Sequence, residues 1–346
     1  MLAAPAGSQL LVADGTAWLC RSHFGAPSVS KQSPAAAPLR APSGQNTSAL
    51  HIFLGTVCAL LNAVPRASHV AVVFDFAAKN FRHELYPDYK AHRPPTPPEL
   101  AEAAPEARAL LDLAGLSVLS VPGVEADDVV ATLATRGAQE GMDVVVASPD
   151  GDFRQLIGPR ITLLRPVKAP RPDPAGPGAV GSRLALYGEA EFAADFPGLT
   201  PPRYVDYLAL KGDPGDNIPG VHGVGPKTAL RLLQACGDVE GVLAAASAGD
   251  TERLRAAARA PKRVLAALAA PAGADAARLS RRLVSLAADL RVPATTQAWA
   301  ALRPRVPAGD RLRALEASLD RLALERRRAQ LRQLWEHHDA YRGEES

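Results

Sequence analysis

Short apolar runs alternate with longer amphipathic stretches through the first half of the chain, and three of the short runs stop on aspartate. LLVAD ends at Asp14, VAVVFD at Asp75, and VVVASPDGD at Asp150 and Asp152. Each run is rich in Val and Leu, brief, and followed by helix-like sequence, the pattern of strands buried on both faces of a parallel sheet. Helices are predicted over 47–62, over 99–115, and from the GVEADD segment to Gly141. Further strands are predicted at LSVLSVP and over 160–165, while 79–98 (KNFRHELYPDYKAHRPPTPP) has no clean period and reads as a loop or arch. From about Tyr187 onward the signal is helical, broken by the Gly-rich stretch 212–225. The expected fold is α/β, a mostly parallel central sheet flanked by helices, with a helical subdomain after it. The divisions are 1–186, 187–300 and a basic helical tail over 301–346. Pro/Ala-rich 26–46 and Pro/Gly-rich 166–183 read as insertions.

Ligands bind at the carboxyl ends of strands in such sheets, so the three aspartate-ended runs deliver their charges to one edge. GVEADD (Glu125, Asp127, Asp128) and KGDPGDN (Asp213, Asp216) bring the set to nine carboxylates. Acids in the first turn of a helix stabilise any helix through its dipole, and SPDGD alone is an ordinary strand-to-helix turn. Five acidic clusters together, three at strand ends, are costly without a divalent cation. Carboxylate ligation with no His partner favours Mg²⁺ or Mn²⁺ over zinc.

Charge changes the picture once it is partitioned. The net charge is +3, but setting the nine clustered acids aside leaves 27 Asp and Glu against 39 Lys and Arg. An acidic pocket on a basic body suits a polyanion that meets metal at one point and cations elsewhere. Arg82, Lys90 and Arg93 are interleaved with Phe81, Tyr86 and Tyr89, as suits a stacked single strand of nucleic acid. GVHGVGPKTA resembles a P-loop, but Pro226 separates Gly225 from Lys227 and no strand precedes it. It reads instead as a tight hairpin between helices, where Gly220, Gly223 and Gly225 let backbone N–H groups approach a phosphate. Lys227 and the next helix's N-terminus add positive charge. Leu312, Leu315, Leu319, Leu322, Leu331 and Leu334 recur at helical spacing among arginines, which predicts a packing face with a solvated basic side.

Hydrophobic content of 47% excludes a mostly disordered chain, and no apolar stretch is long enough to span a bilayer. Cys20, Cys58 and Cys236 are scattered with no C-x-x-C pair, so neither a disulfide framework nor a zinc site is expected. No secretory signal is expected either. The compartment is left open between a bacterial cytoplasm and an organelle.

The motifs LLVADG, VVFDF, FRHELYPDYKAHRPPTP, VPGVEADDV, ASPDGDFRQL and LKGDPGDNIPGVHGVGPKTA, in that order, resemble the 5′–3′ exonuclease and flap endonuclease family, and within it the 5′-nuclease domain of bacterial DNA polymerase I. The resemblance implies a PIN-like nuclease fold with a helix–three-turn–helix element and no polymerase domain. It implies a metal set of Asp14, Asp75, Glu125, Asp127, Asp128, Asp150, Asp152, Asp213 and Asp216 holding two Mg²⁺, with Mn²⁺ able to substitute. Arg82 and Lys90 fall on positions used at the scissile phosphate. Arg21, Tyr86, Arg93, Gly220, Gly223, Gly225, Lys227 and Thr228 fall on positions that contact DNA, with a monovalent cation such as K⁺ at the hairpin. The implied activity is hydrolysis at 5′ ends or flaps of nicked or gapped duplex, RNA-primed ends included, by a monomer with no membrane association. The alternatives are a catalytically silent structure-specific DNA-binding protein and an RNA-cutting PIN-like nuclease. The long insertions and the arginine-rich tail depart from compact bacterial members.

Overall fold

The computed structural model describes residues 7–26, 37–76, 79–168, 182–292 and 299–337. Its sheet has six strands in the order β3-β2-β1-β4-β5-β6. These are β1 (Gln9–Asp14), β2 (His69–Val73), β3 (Ser117–Leu119), β4 (Asp143–Ala147), β5 (Ile161–Lys168) and β6 (Ser182–Tyr187). The first five pair in parallel, and β6 pairs antiparallel with β5. Period-two alternation divides the sheet between two cores. Leu10, Val12, Val144 and Val146 pack on one side, and Leu11, Ala13, Val145 and Ala147 on the other.

The first core is covered by α5 (Ala126–Gln139) and continues into the helical region: α6 (Glu189–Asp195), α7 (Tyr204–Lys211), α8 (Pro226–Cys236), α9 (Val239–Ser247), α10 (Thr251–Ala258), α11 (Lys262–Ala269) and α12 (Pro271–Val284). The second core is covered by α1 (Gly15–Gly25), α2 (Ser48–Ala63) and α4 (Pro98–Leu113). In the expected arch, 81–85 is helical: α3 (Phe81–Leu85) starts at Asn80, whose side chain accepts from the Arg82 N–H at 2.9 Å.

Two segments differ from expectation. β6 lies at the end of the stretch read as an insertion: a run of six residues after Pro- and Gly-rich sequence gives too few alternations to register. It pairs antiparallel with β5, Leu163 opposite Tyr187 and Lys168 opposite Ser182, and 169–181 lie outside the described residues. The first insertion is closed near its end by an Arg40–Asn46 bridge, and 27–36 lie outside the described residues.

The basic tail is part of the fold. α13 (Gly309–Arg321) and α14 (Glu325–His337) place Leu315, Leu319, Leu322, Leu331 and Leu334 in the second core, with Leu312 half-buried. Arg321 pairs with Glu106 of α4 at 2.7 Å, and α14 comes so close to α2 that a Cβ on Gly55 would meet the Arg327 guanidinium at 2.6 Å. Leu319 is 1% exposed. Leu319→Ala is expected to cost about 2–5 kcal/mol by leaving a cavity in the second core. Urea unfolding at constant m-value checks this, and a loss below about 1 kcal/mol would contradict the packing.

Candidate metal and nucleic-acid site

The acids gather because the strands end in register. Asp14 closes β1 opposite Val73 of β2, with Asp75 two residues beyond; Ala147 of β4 lies opposite Ala13, and the turn after it carries Asp150 and Asp152 past the same edge. Asp14 is buried and caps α1, accepting from the Ala17 N–H at 2.9 Å and from the Ser148 hydroxyl at 2.8 Å. Asp75 accepts from the Ala126 N–H at 2.8 Å, which ties the start of α5, and so Glu125 and Asp127, to the strand edge. Asp213 and Asp216 come from the turn after α7, closed by an Asp213–Ile218 bridge. That turn needs glycine at Gly212, where φ is +72° and a Cβ would meet the Ile218 carbonyl at 2.6 Å.

Crowding shows in the proton affinities. Burial pushes Asp14 up to about 7, opposed by its hydrogen bonds from Ala17 and Ser148 and reinforced by Asp75 and Asp150. Burial, then Asp150, Asp213 and Asp216, push Asp152 up to about 8. Asp127 is raised well above the usual carboxylate range by burial and by Asp14, Asp150 and Glu125. Glu125 goes the other way. Burial opposes its charge, but Lys90 and Arg82 outweigh that and hold it below the usual range.

Arg82 differs from its expected role. It is 2% exposed, and every guanidinium nitrogen has an acceptor within the protein. Nε donates to the Leu283 carbonyl at 2.8 Å, and the two terminal nitrogens grip Asp128 at 2.7 and 2.8 Å. Further bonds go to Glu125 at 3.1 Å and to the Ser285 carbonyl at 3.0 Å. It has no face left for a phosphate. Asp128, fully buried, spends both oxygens on Arg82 and accepts from the Ala287 N–H at 2.9 Å as well. The pair is therefore a structural pin, and the other eight acids remain along the edge.

Lys90 stands at the acidic edge, in the left-handed region at φ +57°, with Nζ bonded to Glu125 and 3.5 Å from Asp216. Arg93, half exposed, bonds Asp216. Tyr89 was expected as a stacking residue but is buried, its hydroxyl donating to Glu125 at 2.9 Å and to Asp216 at 3.1 Å. Tyr86 is half-buried and packs against the first core; Arg21 is exposed on α1. Tyr89 and Ser148 as holders of carboxylates were missed. The only signal was their nearness in sequence to Lys90 and Asp150.

At the hairpin, Gly225 precedes α8, Pro226 occupies its first turn, and Lys227 is exposed with Thr228 half-buried. Gly220 and Gly223 have φ of +60° and +80°. The Gly220 N–H is taken by Ser280 Oγ at 2.9 Å, so the hairpin's open donors lie at its far end, toward Lys227.

Among the described residues, no three His, Cys, Asp or Glu side chains stand together as a ready-made cage. Glu125 and Asp216 are turned toward Lys90, Arg93 and Tyr89, and Asp14 toward a helix end. The donor set nonetheless fits a hard divalent cation: all oxygen, partly buried, and crowded so that Asp14, Asp127 and Asp152 have raised proton affinity.

Known proteins match both halves of the chain up to residue 307. Family models match as "5'-3' exonuclease, N-terminal resolvase-like domain" over residues 9–193 and "5'-3' exonuclease, C-terminal SAM fold" over residues 199–307. The chain is 36% identical over 234 residues to a 5′–3′ exonuclease of Aquifex aeolicus, covering 68% of this chain and 72% of that protein. It is 35% identical over 234 residues to DNA polymerase I of Mycobacterium tuberculosis, covering 68% of this chain and 24% of the polymerase. Of solved structures, a bacteriophage T5 flap endonuclease in complex with DNA and metal ions superposes at TM-score 0.58 and 17% identity, covering 96% of this chain and 99% of that one. Human GEN1 with Holliday junction DNA does so at TM-score 0.55 and 14% identity, covering 94% and 72%. Fold, carboxylate edge and relatives together define a DNA nuclease. The chain belongs to the 5′–3′ exonuclease family.

Asp14 and Asp152 hold protons more tightly folded than unfolded, so their stabilising contribution is complete below about pH 4 and is lost as pH rises through about 7 to 8. In EDTA the melting temperature is expected to fall between pH 5 and pH 8, and a saturating divalent cation to remove most of that fall. A melting temperature flat with pH in EDTA would refute the crowding.

Proposed function

We propose that this chain hydrolyses DNA phosphodiester bonds at 5′ ends and 5′ flaps of nicked or gapped duplex, as a monomer, leaving 5′-phosphate products and using two Mg²⁺ ions that Mn²⁺ can replace. The observation that carries the reading is the delivery of eight acids to one strand edge, with Lys90 lying between Glu125 and Asp216. Asp75, Glu125, Asp127 and Asp150 would hold one ion, with Asp14 behind them, and Asp152, Asp213 and Asp216 the other. When bound, the ions supply an activated water and neutralise the departing 3′ oxygen.

The chain's own groups do the rest. Lys90, beside Glu125 and Asp216 on the edge, would neutralise charge on the scissile phosphate. Arg93 and Arg21 steer the strand by charge, and Tyr86 offers a ring edge to a base. The hairpin would hold duplex backbone without reading sequence, through Lys227, Thr228 and the first-turn N–H groups of α8, and would take a monovalent cation such as K⁺ there. That duplex grip favours DNA over a single-stranded RNA substrate.

Cleavage of a 5′-labelled flap duplex in Mg²⁺ or in EDTA tests the reading. Magnesium-dependent release of short 5′ products is expected; binding without cleavage would place the protein among silent structure-recognising proteins. Asp150→Asn is expected to lower turnover by about 10³-fold or more while DNA binding in Ca²⁺ stays within about threefold. Retained turnover would remove Asp150 from the metal set. Lys227→Ala is expected to weaken duplex binding uniformly across sequences and to reduce the log K against log[salt] slope by about 1. An unchanged slope would take the hairpin off the DNA.

A further inference from the structure

Between Asp150 and Asp152 the backbone turns at Gly151, and the carbonyl of Gly151 is held twice by one residue. The Arg154 N–H donates to it at 3.1 Å, closing the 3-10 turn Asp152–Leu156, and Arg154 Nη1 donates to it again at 3.1 Å. The same Nη1 donates to the Tyr204 hydroxyl at 3.1 Å. None of the hydrogen bonds of this guanidinium goes to a carboxylate. Its charge is met by ring faces: its central carbon lies 5.5 Å from the centroid of Tyr187, 5.6 Å from Tyr204 and 5.9 Å from Phe196. Those rings are themselves locked. Phe196 meets Tyr204 edge-on at 5.0 Å, Tyr204 stacks on Tyr207 at 5.4 Å, and the Tyr187 hydroxyl is tied to Asp195 at 2.8 Å.

A cation caged this way is fixed in place without neutralising any acid of the neighbouring edge. A carboxylate partner would have turned it toward Asp152 and away from the carbonyl. The fit is close, since a Cβ on Gly151 would collide with Arg154 Nη1. The turn carries a load, because Asp152 faces Asp150, Asp213 and Asp216. Asp152 is restrained otherwise by its N–H bond to Asp150 Oδ1 at 2.9 Å and by its carbonyl, which accepts from Gln155 Nε2 at 3.1 Å. Three of the rings come from beyond the sheet, on the approach to and the first turns of α7, the helix that leads into Asp213 and Asp216.

We propose that Arg154 is a positioning residue: caged by Tyr187, Phe196 and Tyr204, it clamps the Gly151 carbonyl and so holds Asp152 against its like-charged neighbours, at a fixed offset from the Asp213–Asp216 turn, ready for a divalent cation. The proposal rests on the reading of the carboxylate edge as a metal site and adds to it a residue that touches neither metal nor DNA.

Three variants test it: Arg154→Met, which keeps the apolar stem; Arg154→Lys, which keeps the caged charge; and Gly151→Ala, which displaces the guanidinium with Arg154 intact. Binding of Mn²⁺ to the protein alone is measured by calorimetry, beside the Mg²⁺ concentration giving half-maximal flap cleavage. Arg154→Met and Gly151→Ala are expected to weaken Mn²⁺ binding and raise the Mg²⁺ requirement about tenfold each, with near-UV circular dichroism unchanged, and Arg154→Lys to recover part of the loss. Unchanged Mn²⁺ binding in a folded Gly151→Ala or Arg154→Met overturns the proposal. If Arg154→Met does not fold, Gly151→Ala decides. Wild-type protein that binds no Mn²⁺ at all would overturn the metal reading itself, a result distinct from failure of the clamp.

Discussion

The buried pair of Arg82 and Asp128 is the constraint on which the arrangement of the site depends. A guanidinium with five donors and a carboxylate with no exposure are each expensive to remove from water, and the bidentate geometry at 2.7 and 2.8 Å is what makes the exchange tolerable. The pair also joins three parts of the chain. Arg82 belongs to α3 in the arch, Asp128 to the first turn of α5, and the Leu283 and Ser285 carbonyls to the end of α12. With the base of the arch fixed there, the chain can only return over Glu125 and Asp216. That return delivers Tyr89, Lys90 and Arg93 to the acids they touch.

Against this rigid base stands an edge that is electrostatically unfavourable by construction. Asp14, Asp127 and Asp152 are destabilised in their charged forms, whereas Glu125, nearest the arch, is stabilised. The unfavourable part of the edge is thus the part where burial and mutual repulsion outweigh the nearby Lys90 and Lys211. A fold tolerates such a patch when the surrounding structure over-determines it, and here two hydrophobic cores, one on each face of the sheet, do so.

Much of this was legible in the sequence, for reasons that can be named. Asp14, Asp75 and Asp150 were readable as one edge because apolar runs of strand length leave little freedom about where the chain emerges. The hairpin was separable from a P-loop because Pro226 has a fixed backbone consequence. β6 was not readable, since SRLALY follows Pro- and Gly-rich sequence and owes its strand form to β5 alone. Nor could residue type distinguish an arginine that meets phosphate from one that meets carboxylate. Arg82 and Lys90 sit eight residues apart in one motif, yet one is sealed inside and the other lies on the edge. Tyr89, taken for a stacking ring, is held by its hydroxyl, which the alternation of aromatic and basic residues did not foretell.

The hairpin of α13 and α14 has a consequence for how the molecule is made. It covers α2 and α4, and the partners Arg321 and Glu106 are 215 residues apart in sequence. At ribosomal rates of about 5–20 residues per second, the apolar flank of those two helices leaves the tunnel roughly 10–40 s before its cover does. The sheet and α5 can close in that interval, but this flank cannot. The nascent chain therefore presents one sticky, half-built side at a defined stage of synthesis, and that side is the surface a holdase would meet.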